Sequence, residues 1–94
     1  MGYKLEFSEE ALSKLESLGQ SDAKRLRQVF MKILSLRRDA MPQDSKKLKS
    51  FSYKGMAGYR VDQGEFRVIY AVSEKDKTVL ISLVLNRNEG LLHR

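Results

Sequence analysis

Residues 58–72 read GYRVDQGEFRVIYAV and carry the clearest secondary-structure pattern in the chain. Two runs rich in β-branched and aromatic residues flank residues 62–65, a turn-forming DQGE tetrapeptide, and this pattern is typical of a β-hairpin. Alternate residues of a strand share a face, so Phe66 and Tyr70 lie on one side and Arg67 lies on the other. We expect the aromatic side to face the core and Arg67 to lie on the accessible side.

The same reading extends outward from the hairpin in both directions. Residues 78–85, TVLISLVL, predict a third strand that is nearly continuous in apolar side chains and therefore central or covered on both faces. Residues 3–7 alternate between apolar and polar side chains, which predicts a short first strand. Amphipathic spacing predicts one helix over residues 8–19, ending at its glycine, and a second over residues 22–38. Residues 39–52 are predicted to be irregular.

The predicted order is β-α-α-β-β-β in a single domain that spans residues 1–94. Because the helices are segregated from most of the strands, the fold class is α+β. We expect an antiparallel sheet with the N-terminal helical hairpin packed on one face, which leaves the arginines of the hairpin on the other. A chain of 94 residues has the size of one domain.

The charge is concentrated in the middle of the chain. Lys and Arg total 18 against 12 for Asp and Glu, and residues 24–70 hold 12 basic and 4 acidic side chains, a net charge of +8. Such a segment favours a polyanionic partner such as nucleic acid, although a basic surface can also serve solubility alone.

Several classes of protein are excluded by composition. With no Cys and one His, the chain cannot form a disulfide framework, a thiolate zinc site or a multi-histidine metal site, so we expect neither a metal nor another cofactor. It lacks an apolar run of the roughly 20 residues that a membrane helix needs. The N-terminal residues lack the apolar stretch of a signal peptide, and we expect a cytoplasmic protein without a membrane partner.

The sequence contains no standard hydrolase or nucleotide-binding motif, and basic groups at the ends of predicted elements are the remaining candidates. Arginines can clamp a phosphate and stabilise a pentacoordinate phosphorane, and RNA carries its own nucleophile, the 2′-hydroxyl. Structural roles compete with these: Arg60 can pair with Asp62 or Glu65, Arg87 can pair with Glu89, and a histidine near the end of the sequence can lie in a disordered tail. The candidates are Lys47, Lys49, Arg60, Arg67, Arg87 and His93.

Three segments resemble the RelE/ParE superfamily of toxins from type II toxin–antitoxin systems. Residues 59–70, YRVDQGEFRVIY, resemble its hairpin signature, in which Tyr-Arg is followed by Gly, an acidic residue, an aromatic residue, Arg and a closing Tyr. Residues 46–49, KKLK, look like its basic element before the sheet. Residues 83–89, LVLNRNE, look like its last strand and the Arg that follows. The resemblance covers essentially the whole chain.

The resemblance implies a twisted RelE-like sheet and, in the RelE-like branch, a ribosome-dependent endoribonuclease that cleaves messenger RNA in the A site without a metal. It implies a small antitoxin with an acidic region as partner, beside the ribosome and messenger RNA. In the implied catalytic set, Arg67 binds the phosphate, Arg87 stabilises the transition state and His93 serves as base or acid. The implied RNA-binding set is Lys47, Lys49, Lys54 and Arg60.

One departure from the pattern keeps two alternatives open. Asp62 stands where some RelE members carry a second strand lysine, and an acid there disfavours RNA binding locally. The chain could therefore be a degenerate toxin that mainly binds its antitoxin. A ParE-type toxin, which shares the fold but inhibits DNA gyrase, is the other alternative, and the three arginines together with His93 favour RNA cleavage over it.

Overall fold

The computed structural model describes the backbone of residues 2–53 and 55–87 and the side chains of residues 2–49 and 55–87. A short first strand precedes two helices, and four longer strands follow them. In chain order the elements are β1 (Lys4–Phe7), α1 (Glu9–Ser21), α2 (Ala23–Ser35), β2 (Lys46–Tyr53), β3 (Met56–Gln63), β4 (Phe66–Ser73) and β5 (Thr78–Asn86). Within the described part of the chain, no helix is both long and apolar enough to cross a bilayer.

The five strands form one sheet in the order β1-β5-β4-β3-β2. The predicted α+β class, with a helical hairpin on a sheet, is confirmed. Strands β2 to β5 are antiparallel to their neighbours, whereas β1 pairs in parallel with β5, so the sheet is mixed rather than wholly antiparallel. A parallel pair requires a crossover between its two strands, and the segment from α1 to β4 supplies it.

Residues 46–53 form the edge strand β2, where the sequence predicts an irregular segment. This adds one strand to the predicted order, which becomes β-α-α-β-β-β-β. The strand pairs Lys46 with Arg60 and Leu48 with Gly58, and the register then shifts before Ser52. Lysines are common on edge strands because they discourage further pairing, and here they obscure the alternation that identifies a strand from sequence.

The junction between the helices differs from the predicted one at Gly19. Helix α1 continues past this glycine to Ser21, and Asp22 serves both as the C-cap of α1 and as the N-cap of α2. A Cβ atom at Gly19 would lie 2.9 Å from Leu26 Cδ2, so the glycine allows the helices to approach rather than ending the first one. The predicted N-cap of α1 is confirmed, because Ser8 Oγ accepts a hydrogen bond of 3.0 Å from the backbone N–H of Ala11.

Helix α2 ends at Ser35, a few residues before the predicted end, and the chain then turns towards β2.

The core lies between the two helices and the face of the sheet that carries the aromatic side chains of the hairpin. Phe66, Val68, Tyr70 and Val72 are all buried, as the alternation predicts, while Arg67 is partly exposed on the other side. Burying each large apolar side chain contributes about 1.5–3 kcal/mol. The helices and the neighbouring strands add Ala11, Leu15, Leu18, Val29, Ile33, Val61, Val79, Ile81 and Val84.

Tyr70 connects the sheet to the segment after α2. Its buried hydroxyl donates a hydrogen bond of 2.8 Å to the carbonyl oxygen of Ala40, and its ring stacks on that of Tyr59 at 5.8 Å between centroids. Burial disfavours the phenolate and raises the pKa of Tyr70 to about 12. This tyrosine is therefore a packing residue, as the sequence suggests, and not a general base near neutral pH.

We expect Tyr70→Phe to lower the free energy of unfolding by about 1–3 kcal/mol at pH 7, because the buried Ala40 carbonyl loses its donor. The raised pKa means that the parent keeps this stability below pH 10, near the unfolded value, and loses it as the pH rises through about 12. The difference in free energy of unfolding between the parent and Tyr70→Phe should therefore become smaller as the pH rises above 10. Urea unfolding at pH 7 and pH 11 measures both effects.

The matched control is Tyr59→Phe. The Tyr59 ring makes the same stacking contact, but its hydroxyl has no hydrogen bond within the described residues, and we expect a change below about 0.5 kcal/mol. Equal stability of Tyr70→Phe and the parent at pH 7 would contradict the assigned hydrogen bond.

Candidate nucleic-acid interface

The sheet presents one face to the helices and leaves the other open. In the β3–β4 register, Asp62 lies opposite Arg67 and Arg60 lies opposite Ile69, and these side chains belong to the face away from the helices. The alternating residues of the same pair of strands, Val61 and Val68, are buried in the core. We call the face that carries Arg60, Asp62 and Arg67 the open face.

Three arginines converge on one carboxylate at this face, and we call Arg60, Arg67 and Arg87 the arginine cluster. Arg67 Nε donates a hydrogen bond of 3.0 Å to Asp62 Oδ1. Arg60 Nη1 lies 3.6 Å from the same oxygen, and Arg87 Nε lies 3.7 Å from Asp62 Oδ2. Both oxygens of one carboxylate thus face guanidinium groups from three different parts of the chain.

Strand geometry places each member of the cluster. Arg67 lies directly across the ladder from Asp62, and Arg60 precedes Asp62 by two residues on the same strand. Arg87 follows β5, where its backbone N–H donates a hydrogen bond of 2.8 Å to the carbonyl oxygen of Glu65 in the hairpin turn. The cluster therefore forms only when β3, β4 and β5 are correctly aligned.

The hairpin turn also holds the Arg87 side chain. Gly64 has a φ angle of +59°, a left-handed conformation that favours glycine, and this permits a two-residue turn between Gln63 and Phe66. Arg87 Nη1 donates a long hydrogen bond of 3.4 Å to the Gly64 carbonyl oxygen. The turn residues thus fix the position of an arginine that is distant in sequence.

The two acidic residues near the turn have different partners. Glu65 is hydrogen-bonded to Arg25 of α2, and Arg25 also pairs with Asp22 at 3.2 Å. Asp62 pairs with the arginine cluster, as the sequence suggests for Arg60. The helix therefore binds one carboxylate of the hairpin and the open face holds the other.

The cluster is accessible to a ligand. The side chains of Arg60 and Arg67 are 25% and 30% exposed, that of Arg87 is 51% exposed, and that of Asp62 is 32% exposed. Three guanidinium groups and one carboxylate leave a net positive charge at a single point of the open face. Guanidinium groups bind phosphate oxygens through paired hydrogen bonds, so the arrangement suits an anionic ligand with several oxygens.

The other residues of the predicted sites have different placements. Lys47 is exposed and pairs with Tyr59, whose ring packs against the core, so Lys47 lies on the opposite face of the sheet from Arg60. Lys49 is exposed in the stretch where the β2–β3 register shifts. Lys54 and His93 lie outside the described residues. Their predicted roles, and those of Lys47 and Lys49, stay predictions.

Two features of the site were missed at the level of sequence. Lys46 pairs with Arg60 across the β2–β3 ladder and thus shares the open face, which alternation would have shown if residues 46–53 had been read as a strand. The central position of Asp62 among three arginines depends on the register of three strands, for which the sequence offers no direct signal. Among the described residues, no group of three or more His, Cys, Asp or Glu side chains could hold a metal ion.

Comparison with known proteins identifies relatives by structure. No family model matches the chain, and no curated protein gives a significant match. A chain of the archaeal RelE–RelB complex from Pyrococcus horikoshii is 27% identical, with a TM-score of 0.75 over 93% of this chain and 97% of that one.

Two further solved structures share the fold at lower identity. The RelBE2 toxin–antitoxin complex from Mycobacterium tuberculosis matches with 22% identity and a TM-score of 0.74, over 93% of this chain and 100% of that one. The YoeB dimer from Staphylococcus aureus matches with 24% identity and a TM-score of 0.66, over 86% and 92%. These matches confirm the predicted RelE-like fold. The 27% identity to the chain of the archaeal RelE–RelB complex places this chain in the RelE-like superfamily of toxins.

Proposed function

We propose that this chain is the toxin of a toxin–antitoxin pair and cleaves messenger RNA in the ribosomal A site without a metal. The observation that carries the proposal is the convergence of Arg60, Arg67 and Arg87 on one point of the open face. A polyanion is the natural ligand of such a cluster, and the +8 charge of residues 24–70 favours its approach.

The chemistry needs little from the protein beyond positive charge and proton transfer. The 2′-hydroxyl of one nucleotide attacks the neighbouring phosphorus and gives its proton to a base. The bond to the 5′-oxygen breaks, that oxygen takes a proton from an acid, and the products are a 2′,3′-cyclic phosphate and a free 5′-hydroxyl. The pentacoordinate phosphorane between these states carries extra negative charge, which Arg67 and Arg87 would stabilise from fixed positions.

The mechanism also needs a base and an acid for proton transfer. Tyr70 is buried, with a pKa raised to about 12, and does not serve as the base. His93 is the predicted base or acid from the family resemblance, and in this proposal it acts on the 2′-hydroxyl or the leaving oxygen. If His93 does not act, the acid is Arg87 or a ribosomal group.

The proposed protein partner is an antitoxin with an acidic region. Two of the structural relatives were solved as complexes, RelE with RelB and RelBE2 with both its components. The basic segment of this chain favours rapid association with an acidic partner. Such a partner would block RNA binding by covering the open face near Arg67 and Arg87.

The position of Asp62 favours a second candidate function. A carboxylate already paired with three arginines reduces the charge available to RNA, as in a degenerate toxin whose main activity is to bind an antitoxin. The ParE-type alternative, inhibition of DNA gyrase, has no specific observation on the open face to favour it.

Ribosome dependence tests the proposal directly. We expect induction of the chain to stop translation and to produce cuts, mapped by primer extension, in translated messages only. Because the proposed chemistry uses arginines and the 2′-hydroxyl, protein stripped of metal with EDTA before it is added to magnesium-containing ribosomes should cut equally well. Equal cutting of free RNA would contradict the A-site mechanism, and DNA breaks with intact messages would support the gyrase alternative.

We expect Arg67→Ala and Arg87→Ala each to reduce the single-turnover cleavage rate by about 10²–10³, because each removes a charge-assisted donor to the phosphorane. Arg60→Ala should reduce it less, because the proposal assigns Arg60 to RNA binding and not to stabilisation of the phosphorane. Rates on programmed ribosomes provide the measurement.

Arg38→Ala is the matched control for these substitutions. Arg38 is exposed just after α2, about 20 Å from the hairpin end of that helix, and its loss should leave the rate unchanged. All variants should keep the parent's free energy of unfolding, measured by urea denaturation, within about 0.5 kcal/mol, because the side chains are partly exposed. Full activity of folded Arg67→Ala and Arg87→Ala would refute the ribonuclease proposal.

Lys46 and Lys47 form a matched pair of neighbouring charges on opposite faces of β2. We expect Lys46→Ala to weaken binding of a short single-stranded RNA about threefold to tenfold, because it removes a cation beside Arg60. Lys47→Ala should change this binding less than twofold, because Lys47 lies on the opposite face, and this result would contradict the RNA-binding role that the family resemblance implies for Lys47. Fluorescence anisotropy at fixed salt measures both, and a larger effect for Lys47→Ala would show that the RNA follows the edge of the sheet rather than the open face.

A further inference from the structure

The Asp62 carboxylate occupies the point at which the arginine cluster converges. One oxygen accepts the 3.0 Å hydrogen bond from Arg67 and lies 3.6 Å from Arg60, while the other lies 3.7 Å from Arg87. A phosphate bound to the same three guanidinium groups would place its oxygens at that point. The carboxylate, with one negative charge and two oxygens, therefore resembles a bound phosphodiester group.

We propose that Asp62 is an internal competitor, whose carboxylate must give up the arginine cluster before an RNA phosphate can bind there. The identity of the ligand, a phosphodiester group of single-stranded RNA, rests on the proposed function. The competition itself rests on the position of Asp62 and applies to any phosphate-like anion. Free RNA is then a weak ligand. RNA that is already held in place, as on a ribosome, binds well because its phosphate is supplied at high local concentration.

The carboxylate is held loosely enough to be displaced. Among its contacts with described residues, only that with Arg67 is a hydrogen bond, the pairs with Arg60 and Arg87 are longer than 3.5 Å, and the side chain is 32% exposed. Ion pairs of this exposure contribute little to stability. A phosphate beside the retained carboxylate would in contrast meet a like charge within about 5 Å, which weakens binding roughly tenfold at an effective dielectric constant of about 50, between the values for a protein surface and for water.

The backbone positions of the cluster do not depend on the carboxylate. The β4 ladder fixes the backbone of Arg67, and Arg87 is held by its bonds to the Glu65 and Gly64 carbonyl oxygens of the turn. Asp62 orients the guanidinium of Arg67 through a single hydrogen bond. Its repulsion of an incoming phosphate outweighs its orienting effect, and removing its charge should strengthen binding.

The test compares Asp62→Asn with the parent for binding to a fluorescent 2′-O-methyl RNA oligonucleotide, which cannot be cleaved by 2′-hydroxyl attack. We expect Asp62→Asn to bind about tenfold more tightly at fixed salt, measured by anisotropy. Asp62→Glu, which keeps the charge, should bind as weakly as the parent. The double variant Asp62→Asn with Arg67→Ala should lose most of the gain, because the gain acts through the cluster.

Asp76→Asn is the matched control for the change in net charge. Asp76 is exposed in the β4–β5 turn, at the other end of β4 and about 20 Å from Arg67, so its neutralisation should change affinity less than twofold. An equal gain for Asp76→Asn would show a general charge effect and overturn the proposal. Affinity of folded Asp62→Asn equal to or below that of the parent would overturn it as well.

A second probe, inorganic pyrophosphate, tests the Asp62 proposal without RNA. Inorganic pyrophosphate should raise the thermal midpoint of Asp62→Asn more than that of the parent, since an anion that binds the folded state stabilises it. If Asp62→Asn shows tighter RNA binding and a larger pyrophosphate shift but the parent does not cleave RNA on ribosomes, the Asp62 proposal holds and the proposed function is wrong. If the parent cleaves RNA on ribosomes but Asp62→Asn shows neither change, the proposed function holds and the Asp62 proposal is wrong.

Discussion

The register of the β3–β4 hairpin determines what both faces of the sheet can do. Val61 lies opposite Val68 on the buried face, and Asp62 lies opposite Arg67 on the open face. A slip by one residue would move Arg67 into the core and Phe66 into water. The burial energy of the core therefore also maintains the position of the site, and the left-handed Gly64 that closes the turn reinforces the same register.

The β3–β4 register determines the charge of the open face as well as its geometry. Three guanidinium groups brought together repel one another, and Asp62 offsets that repulsion within the folded chain. Glu65, at the turn of the same hairpin, is bound instead by Arg25 on the helical side. The fold thus separates two nearby carboxylates, so that one stabilises the attachment of the hairpin to α2 and the other adjusts the charge of the site.

Patterns local to one strand or helix were predictable from the sequence. The alternation around Phe66 and Tyr70 identified the buried face, and Ser8 identified the start of α1. Properties that depend on neighbouring elements were not predictable, because propensity describes one segment at a time. Strand β2 carries lysines and relies on β3 for its hydrogen bonds, and Gly19 resembles a helix end but accommodates Leu26. The family resemblance brought Arg67 and Arg87 into one site, whereas the pairing of both with Asp62 emerged only from the register.

The parallel pairing of β1 with β5 has a consequence for the order in which the molecule is assembled. During synthesis β1 and both helices emerge first, but Lys4 pairs with Thr78, so β1 waits for nearly the whole chain before its sheet partner exists. Contacts between such distant residues close a long loop and form late in folding. Arg87 follows β5 and joins the cluster last of the three arginines. A nascent chain therefore lacks the complete arginine cluster until β5 and Arg87 have been made.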